Sequence, residues 1–247
     1  MRLSKRIHIM AEKVCKGETV ADIGTDHGYV PMLLYKNKVI DYAIMSDISS
    51  SSLKKAKETF LLSKIYAEDE QFRVGFGLDT LKQGEVDDII IGGLGGNTII
   101  EILDNDLQKS LSFKKSILQP RKHSGNLRKY LYKNGWKIID EDLAKEGKFI
   151  CEIITAVPSG GKDTDFNLSK LDNIQWNYPN YDYISKRTVD TSKYCKLYQR
   201  KIQRKIRSID EEINNRSKSA FQYNCIIELN HDRRYLVDLL DKIVIKQ

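Results

Sequence analysis

Hydrophobic positions along the first 158 residues follow two rhythms that take turns. Leu3, Ile7, Met10, Ala11 and Val14 recur at helical spacing, which predicts a short amphipathic helix over 3–14. Short apolar runs then alternate with helix-patterned segments. TVADIG (19–24), DYAIMSDI (41–48), QFRVGFG (71–77), DDIIIGG (87–93) and KSILQP (115–120) read as strands. HGYVPMLLYKN (27–37), SSSSLKKAKETFLLSK (49–64), GNTIIEILDNDL (96–107) and SGNLRKYLYKNG (124–135) read as helices, the second opened by serine caps and the last ended by glycine. Residues 136–158 hold two further strands joined by a loop near Lys145–Gly147.

Five short apolar strands separated by helices predict an α/β fold with a parallel sheet covered on both faces. The last two strands are separated by a loop too short for a crossover, so they are expected to add an antiparallel hairpin. A dinucleotide-binding Rossmann domain ends on another βα unit. Class I S-adenosylmethionine (SAM) methyltransferases, a Rossmann-like fold with a seven-stranded sheet, end on such a hairpin.

The texture changes after Pro158. SGGKDTDFN (159–167) is a polar linker, and QWNYPNYDY (175–183) is aromatic and reads as irregular. From about Asp190 the chain is helix-patterned. Tyr198, Ile202, Ile206, Ile209 and Ile213 form one narrow stripe, as in a coiled coil. Leu229, Leu236, Leu239, Leu240 and Ile243 form a second, after a turn expected near Arg216–Phe221. The expected domains are therefore 1–158, a cofactor-binding α/β domain, and 159–247, a helical hairpin.

Charge adds a partner class. The 247 residues carry a net charge of +7 with 30% charged residues. Between Lys186 and Lys218 there are eleven Lys/Arg against four Asp/Glu, so this one stretch accounts for the whole surplus. Such a run is either a solvated helix face or a phosphate-binding surface. The four cysteines (Cys15, Cys151, Cys195, Cys225) form no C-x-x-C pair and read as reduced, mostly buried thiols of a cytoplasmic protein. With the four histidines also dispersed, no metal is expected. No apolar run approaches the roughly 18 residues a membrane span needs, so neither export nor insertion is expected.

The candidate chemistry sits at the strand ends, where ligands of open α/β sheets bind. Asp22, Gly24 and Gly28 follow the first strand. Asp47 ends the second, 23 residues after Gly24, a spacing that suits a carboxylate holding a ribose diol. Gly75-Phe76-Gly77-Leu78-Asp79 ends the third, where an adenine edge rests, and Gly92-Gly93-Leu94-Gly95-Gly96 ends the fourth, beside the cofactor's reactive end. The G-x-G-x-x-G fingerprint is absent, and SAM has no pyrophosphate needing a bare helix N-terminus, so Asp26 and His27 are tolerable beside it. Enzymes that methylate exocyclic base amines commonly carry [DNS]-P-P-[YFW] after the fourth strand; GGLGG stands there instead. A ring nitrogen such as adenine N1 needs no deprotonation, so catalysis would be positioning plus stabilisation of a cationic product. Asp26 is either a helix N-cap or a partner of the base and its developing charge; His27 is either a structural histidine or a base contact, and Tyr29 a pocket wall.

The segments LSKRI, VADIGTDHGYVP, SDIS, IIIGGLGG and ILQP, in this order over residues 1–158, resemble the bacterial tRNA (adenine-22-N1)-methyltransferase family. The resemblance implies a class I SAM-binding domain followed by a helical, coiled-coil-like domain, with tRNA as substrate. A monomer is expected. By match to the family's motifs, Asp26, His27 and Tyr29 belong to the catalytic region. Asp22, Gly24, Thr25, Gly28, Asp47, Ile48, Gly77, Leu78, Gly93 and Leu94 belong to the cofactor. Arg6, Gln119 and Pro120 fall to the target side. The charge run, rather than a motif, makes Lys193, Arg200, Lys201 and Arg204 on the basic helix the candidates for the tRNA backbone. Two positions depart from the family pattern. Phe76 stands where an aspartate is usual, so an adenine-amine contact would have to come from elsewhere, such as Asp79. Arg121 stands where asparagine often follows L-Q-P. A methyltransferase of a small metabolite and a SAM- and RNA-binding protein without turnover are the competing readings.

Overall fold

The computed structural model describes residues 3–160, 171–188, 190–217 and 223–245, and the chain divides into two units, 1–167 and 168–247. In the first, α1 (Lys5–Glu12) precedes β1 (Val20–Ile23), α2 (Tyr29–Lys36), β2 (Ala43–Asp47), α3 (Ser50–Leu62) and β3 (Phe72–Val74). There follow β4 (Asp88–Leu94), α4 (Gly96–Asp104), α5 (Leu107–Ser110), β5 (Lys115–Pro120), α6 (Ser124–Lys133), β6 (Trp136–Glu146) and β7 (Phe149–Pro158).

The seven strands form one sheet in the order β3-β2-β1-β4-β5-β7-β6. Strands β1 to β5 run parallel, and β7 is antiparallel to both β5 and β6. The expected terminal hairpin is present. Strand order reverses at β1, which pairs with Ala43–Ser46 on one side and Asp88–Ile91 on the other.

Successive side chains of a strand point to opposite faces, so a strand covered on both sides needs an unbroken apolar run. Ile89 and Ile91 enter one core with Ile99, Ile102 and Leu103 of α4 and Leu127 and Leu131 of α6. Ile90 enters the other with Ile7 and Met10 of α1 and Leu53 and Phe60 of α3. The apolar stripe of the first helix is thus a lid on the sheet, which brings Arg6 and Met10 to the strand ends.

Buried charge fastens the hairpin to the rest. The fully buried Arg128 of α6 donates to Glu141 of β6 from Nε (3.0 Å) and Nη2 (2.8 Å), and from Nη2 to Glu152 of β7 (2.7 Å). Lys13, just past α1, meets Asp140 and Asp142 of β6, each at 2.6 Å.

In the second unit, α7 (Asn173–Asn177) and α8 (Tyr181–Ser185) precede two long helices, α9 (Thr191–Arg216) and α10 (Tyr223–Ile245). The pairings Asp210–Arg233 and Arg216–Cys225 set α9 and α10 antiparallel. Tyr198, Ile202 and Ile209 from one stripe and Leu236, Leu239 and Ile243 from the other are buried. The turn expected near Arg216–Phe221 lies largely outside the described residues, as does most of the 159–167 linker.

Three expectations need correction. The aromatic stretch 175–183 is not irregular: Asp172 and Asn180 cap short helices, and Tyr198 and Tyr235 donate to the carbonyls of Pro179 and Tyr178, each at 2.8 Å. The helix expected over 96–107 breaks, because the Asp106 side chain accepts from the Lys109 N–H and starts α5 afresh. The cysteines are all free thiols but only Cys195 is buried; Cys15 lies exposed in the turn after α1, and Cys151 and Cys225 are half-buried. A thiol is small enough to fit either face of an element, so composition did not decide its burial.

Arg128→Ala is expected to lower the unfolding free energy by about 3–5 kcal/mol, because Glu141 and Glu152 stay buried without their cation. Denaturant titration followed by circular dichroism reads the loss.

Candidate active site

The carbonyl of Ser46 on β2 accepts from both Gly24 N (2.8 Å) and Thr25 N (3.0 Å), which bends the chain sharply off β1. The bend, with the ends of β2, β3 and β4, encloses a cavity of about 510 Å³. Asp22, Gly24, Thr25, Asp26, His27, Tyr29, Asp47, Ile48, Gly77, Gly93, Leu94 and Arg6 line it. These were all singled out in the sequence.

Asp22 is buried, with Thr25 Oγ1 donating to its Oδ2 at 2.6 Å. Burial pushes its carboxyl up to about 6, against the pull of the Thr25 hydrogen bond. Asp47 is held at both oxygens: Oδ1 accepts from Ser49 N (2.8 Å) and Oδ2 from Asp26 N (3.2 Å). Asp26 takes the left-handed backbone (φ 45°), a conformation that asparagine and aspartate tolerate better than most residues. The N-cap of α2 is Gly28, with no side-chain cap, so the capping reading of Asp26 does not hold. Its carboxylate side chain is 54% exposed at the cavity, 3.0 Å from Lys55 Nζ and 3.6 Å from His27 Nε2. The rings of His27 and Tyr29 stack nearly parallel, 4.9 Å between centroids and 4° between planes.

Other predicted site residues lie elsewhere. Gly28 is buried against α3, where an added methyl would meet Ala56 and Phe60 at 3.2 Å. The Leu78 side chain is in the core. Gln119 is 1% exposed and its amide is already occupied: Oε1 accepts from Gly93 N (3.1 Å) and Arg6 Nη1 (3.0 Å), and Nε2 donates to Pro120 O (3.0 Å). It holds the irregular end of β4 at Gly92–Leu94, and Pro120 is buried beside it. Asp79 is not among the residues lining the cavity, and its Oδ1 accepts from Asn105 Nδ2 at 3.0 Å.

Met10, Val30, Thr98 and Ile102 line the cavity without having been singled out. Met10 was visible only as a member of an apolar helix stripe and Ile102 only within the helix-patterned segment 96–107, neither of which carries a sign of facing a ligand. Ile48, Phe76 and Ile102 give the β2–β3 end an apolar wall, while Arg6 and Arg121 bring guanidinium groups to Gly93. Lys193, Arg200 and Arg204 are exposed on α9 of the second unit, whereas Lys201 is drawn into packing, its ammonium 4.6 Å from the Tyr178 ring centroid and 3.3 Å from Asn177 O. Among the described residues no group of His, Cys, Asp and Glu is arranged to hold a metal ion. No helix among them is long and apolar enough to cross a membrane.

Comparison with known proteins places this cavity in context. Residues 3–154 match the family described as a methyltransferase domain. The chain is 34% identical over 167 residues to the tRNA (adenine(22)-N(1))-methyltransferase of Bacillus subtilis, covering 68% of this chain and 69% of that one. The crystal structure of the B. subtilis M1A22 tRNA methyltransferase TrmK superposes with a TM-score of 0.69 at 25% identity, over 98% of this chain and 99% of that one. TrmK of M. capricolum, solved with S-adenosyl-homocysteine, superposes with a TM-score of 0.75 at 24% identity, over 97% of this chain and 100% of that one, a likeness of fold.

The loops that frame the cavity leave no room for growth at Gly96. A methyl group there would strike the backbone carbonyls of His123 and Lys122. Gly96→Ala is expected to cost about 1–3 kcal/mol by forcing these backbones apart. The denaturant midpoint of the variant checks it.

Proposed function

The chain belongs to the methyltransferase-domain family of the tRNA (adenine-22-N1)-methyltransferases, and we propose from that premise that it transfers the methyl group of SAM to N1 of adenine 22 in tRNA. The observation that carries the reading is the chemistry of the cavity: three carboxylates, Asp22, Asp26 and Asp47, around an apolar wall of Ile48, Phe76 and Ile102. That set fits a cofactor that joins a flat base and a ribose diol to a cationic sulfonium and amine. When bound, SAM supplies an electrophilic methyl group.

Asp47, its oxygens already oriented by two backbone N–H groups, is assigned to the ribose hydroxyls. Asp22, Gly24, Thr25, Gly93 and Leu94 surround the methionine portion, and Ile48, Phe76 and Gly77 the adenine. Phe76 offers a face and no acceptor, so the cofactor base is held there by contact area. The target adenine brings its own N1 lone pair. One C–N bond forms as the C–S bond breaks, no proton need be removed, and the positive charge passes from sulfur to the methylated base. Asp26, the exposed carboxylate at the cavity, offsets that charge. The His27–Tyr29 ring pair offers a flat wall to the base. The exposed cations Lys193, Arg200 and Arg204 of α9 hold tRNA phosphates, while Lys201 packs against Tyr178. The protein acts on tRNA in the cytoplasm, as a monomer.

Incubation with labelled SAM and unmodified tRNA is expected to place N1-methyladenosine at position 22, mapped by mass spectrometry. Absence of methyl from adenine N1 in every tRNA would rule the reading out, and transfer to a small molecule instead would favour the metabolite alternative. Asp47→Ala is expected to weaken SAM binding by about 1.5–3 kcal/mol in calorimetry. Asp26→Ala is expected to lower turnover more than SAM affinity; equal losses would make Asp26 a cofactor ligand.

Affinity is also expected to depend on acid. Asp22 has a carboxyl near 6 and binds the cationic cofactor as the carboxylate. Affinity therefore holds above that value and falls as pH drops through it, by about tenfold between pH 7 and pH 5. Asp22→Asn should flatten the profile.

A further inference from the structure

The cavity is electrically divided. Its carboxylates, Asp22, Asp26 and Asp47, come from the ends of β1 and β2, while its guanidinium groups, Arg6 and Arg121, converge on Gly93 at the ends of β4 and β5. Gly93 takes φ 81°, and a methyl group placed on it would lie 3.7 Å from Arg121 Nη2 and 3.9 Å from Arg6 Nη1. The two cations are differently committed. Arg6 is half-buried and bonded to Glu146 at 3.1 Å and Gln119 at 3.0 Å. Arg121 is exposed; its backbone N–H is fixed to Leu94 O at 2.7 Å, and among the described residues its guanidinium has no ion pair. A charge anchored at the backbone and open at its tip is placed for an anion arriving from solvent.

We propose that Arg121 is a phosphate-binding residue that grips the RNA backbone beside the target nucleotide and so holds the base in the cavity. The inference rests on the tRNA reading above. Two arguments favour RNA phosphate over the other available anion, the carboxylate of the cofactor's methionine. Arg121 stands at the solvent rim, and the next residue, Lys122, is also exposed with its Cε 3.8 Å from a methyl placed on Gly95. Adjacent cations along a rim follow a chain of phosphates better than a single carboxylate. A guanidinium pairs bidentately with carboxylate and phosphate alike, so the rim position and the neighbouring cation are what favour phosphate. Phosphate contacts of this kind position the ligand without reading its sequence.

The test uses Arg121→Ala and Arg121→Lys in the full-length protein, with two binding readouts that need no turnover. Affinity for unmodified tRNA is measured across a salt series, and affinity for S-adenosylhomocysteine by calorimetry. Arg121→Ala is expected to weaken tRNA binding about tenfold at low salt. It should also make the slope of log affinity against log salt shallower by about 0.7–0.9, the value of one phosphate. S-adenosylhomocysteine affinity should not move, and Arg121→Lys should keep the wild-type slope. A loss of S-adenosylhomocysteine affinity with tRNA binding intact would overturn the inference in favour of the methionine carboxylate. No change in either would overturn it as well. A wild-type protein that binds no tRNA would overturn both this inference and the reading it rests on. One that binds tRNA with the expected slope change but methylates none would overturn the reaction and leave the phosphate contact standing.

Discussion

The Ser46 carbonyl is the constraint on which the cavity depends. A carbonyl oxygen has two lone pairs, and this one spends both on consecutive N–H groups, Gly24 and Thr25. The chain therefore leaves β1 in a tight bend clipped to the neighbouring strand. Everything that faces the cavity from this side, Asp22 to Tyr29, takes its direction from that clip. Gln119 plays the matching part on the far side, where one side-chain oxygen holds both the Gly93 N–H and the Arg6 guanidinium. The cavity is built between two shared acceptors.

The same economy recurs in the packing of charge, with carboxylates sharing one cation. Arg128 is shared by Glu141 and Glu152, Lys13 by Asp140 and Asp142, and Lys115 by Glu18 and Asp88. Each cluster joins separate stretches of chain, so each fixes a register as well as neutralising charge. The surplus carboxylate is also exposed to proton uptake: burial pushes Asp88 up to about 7 and raises Asp140. Such clusters hold specific geometry more than they add net stability.

The sheet was legible because a strand buried on both faces needs an apolar run: Ile89, Ile90 and Ile91 supply one in β4, and β1 is interrupted only by the cavity carboxylate Asp22. The short loop before Phe149 likewise announced the hairpin. The cavity was legible where glycine and carboxylate coincide at a strand end, as at Asp22 and Asp26 around Gly24, and where a carboxylate closes a strand at a telling spacing, as at Asp47. It was not legible where the working part is a buried side chain of an ordinary type. Gln119 falls to the target side by its match to the family's L-Q-P motif; only the fold shows both ends of its amide engaged. Leu78 follows Gly77 in sequence but turns into the core, since a 3₁₀ turn over Gly77–Thr80 redirects it. Met10 and Ile102 belong to stripes whose ends happen to reach the cavity. Arg128, Glu141 and Glu152 are far apart in sequence, and nothing local marks them as partners.

Asp47 carries a consequence for how such an enzyme changes over generations. Its Oδ2 accepts the Asp26 N–H, so the group assigned to the ribose also sets the backbone of the group assigned to the base. A lineage that changes the side chain at 47 disturbs the backbone at 26, but the reverse does not hold. Change at position 47 is therefore expected to bring change at position 26 with it, whereas position 26 is free to vary alone, since any residue but proline keeps the N–H that Asp47 accepts.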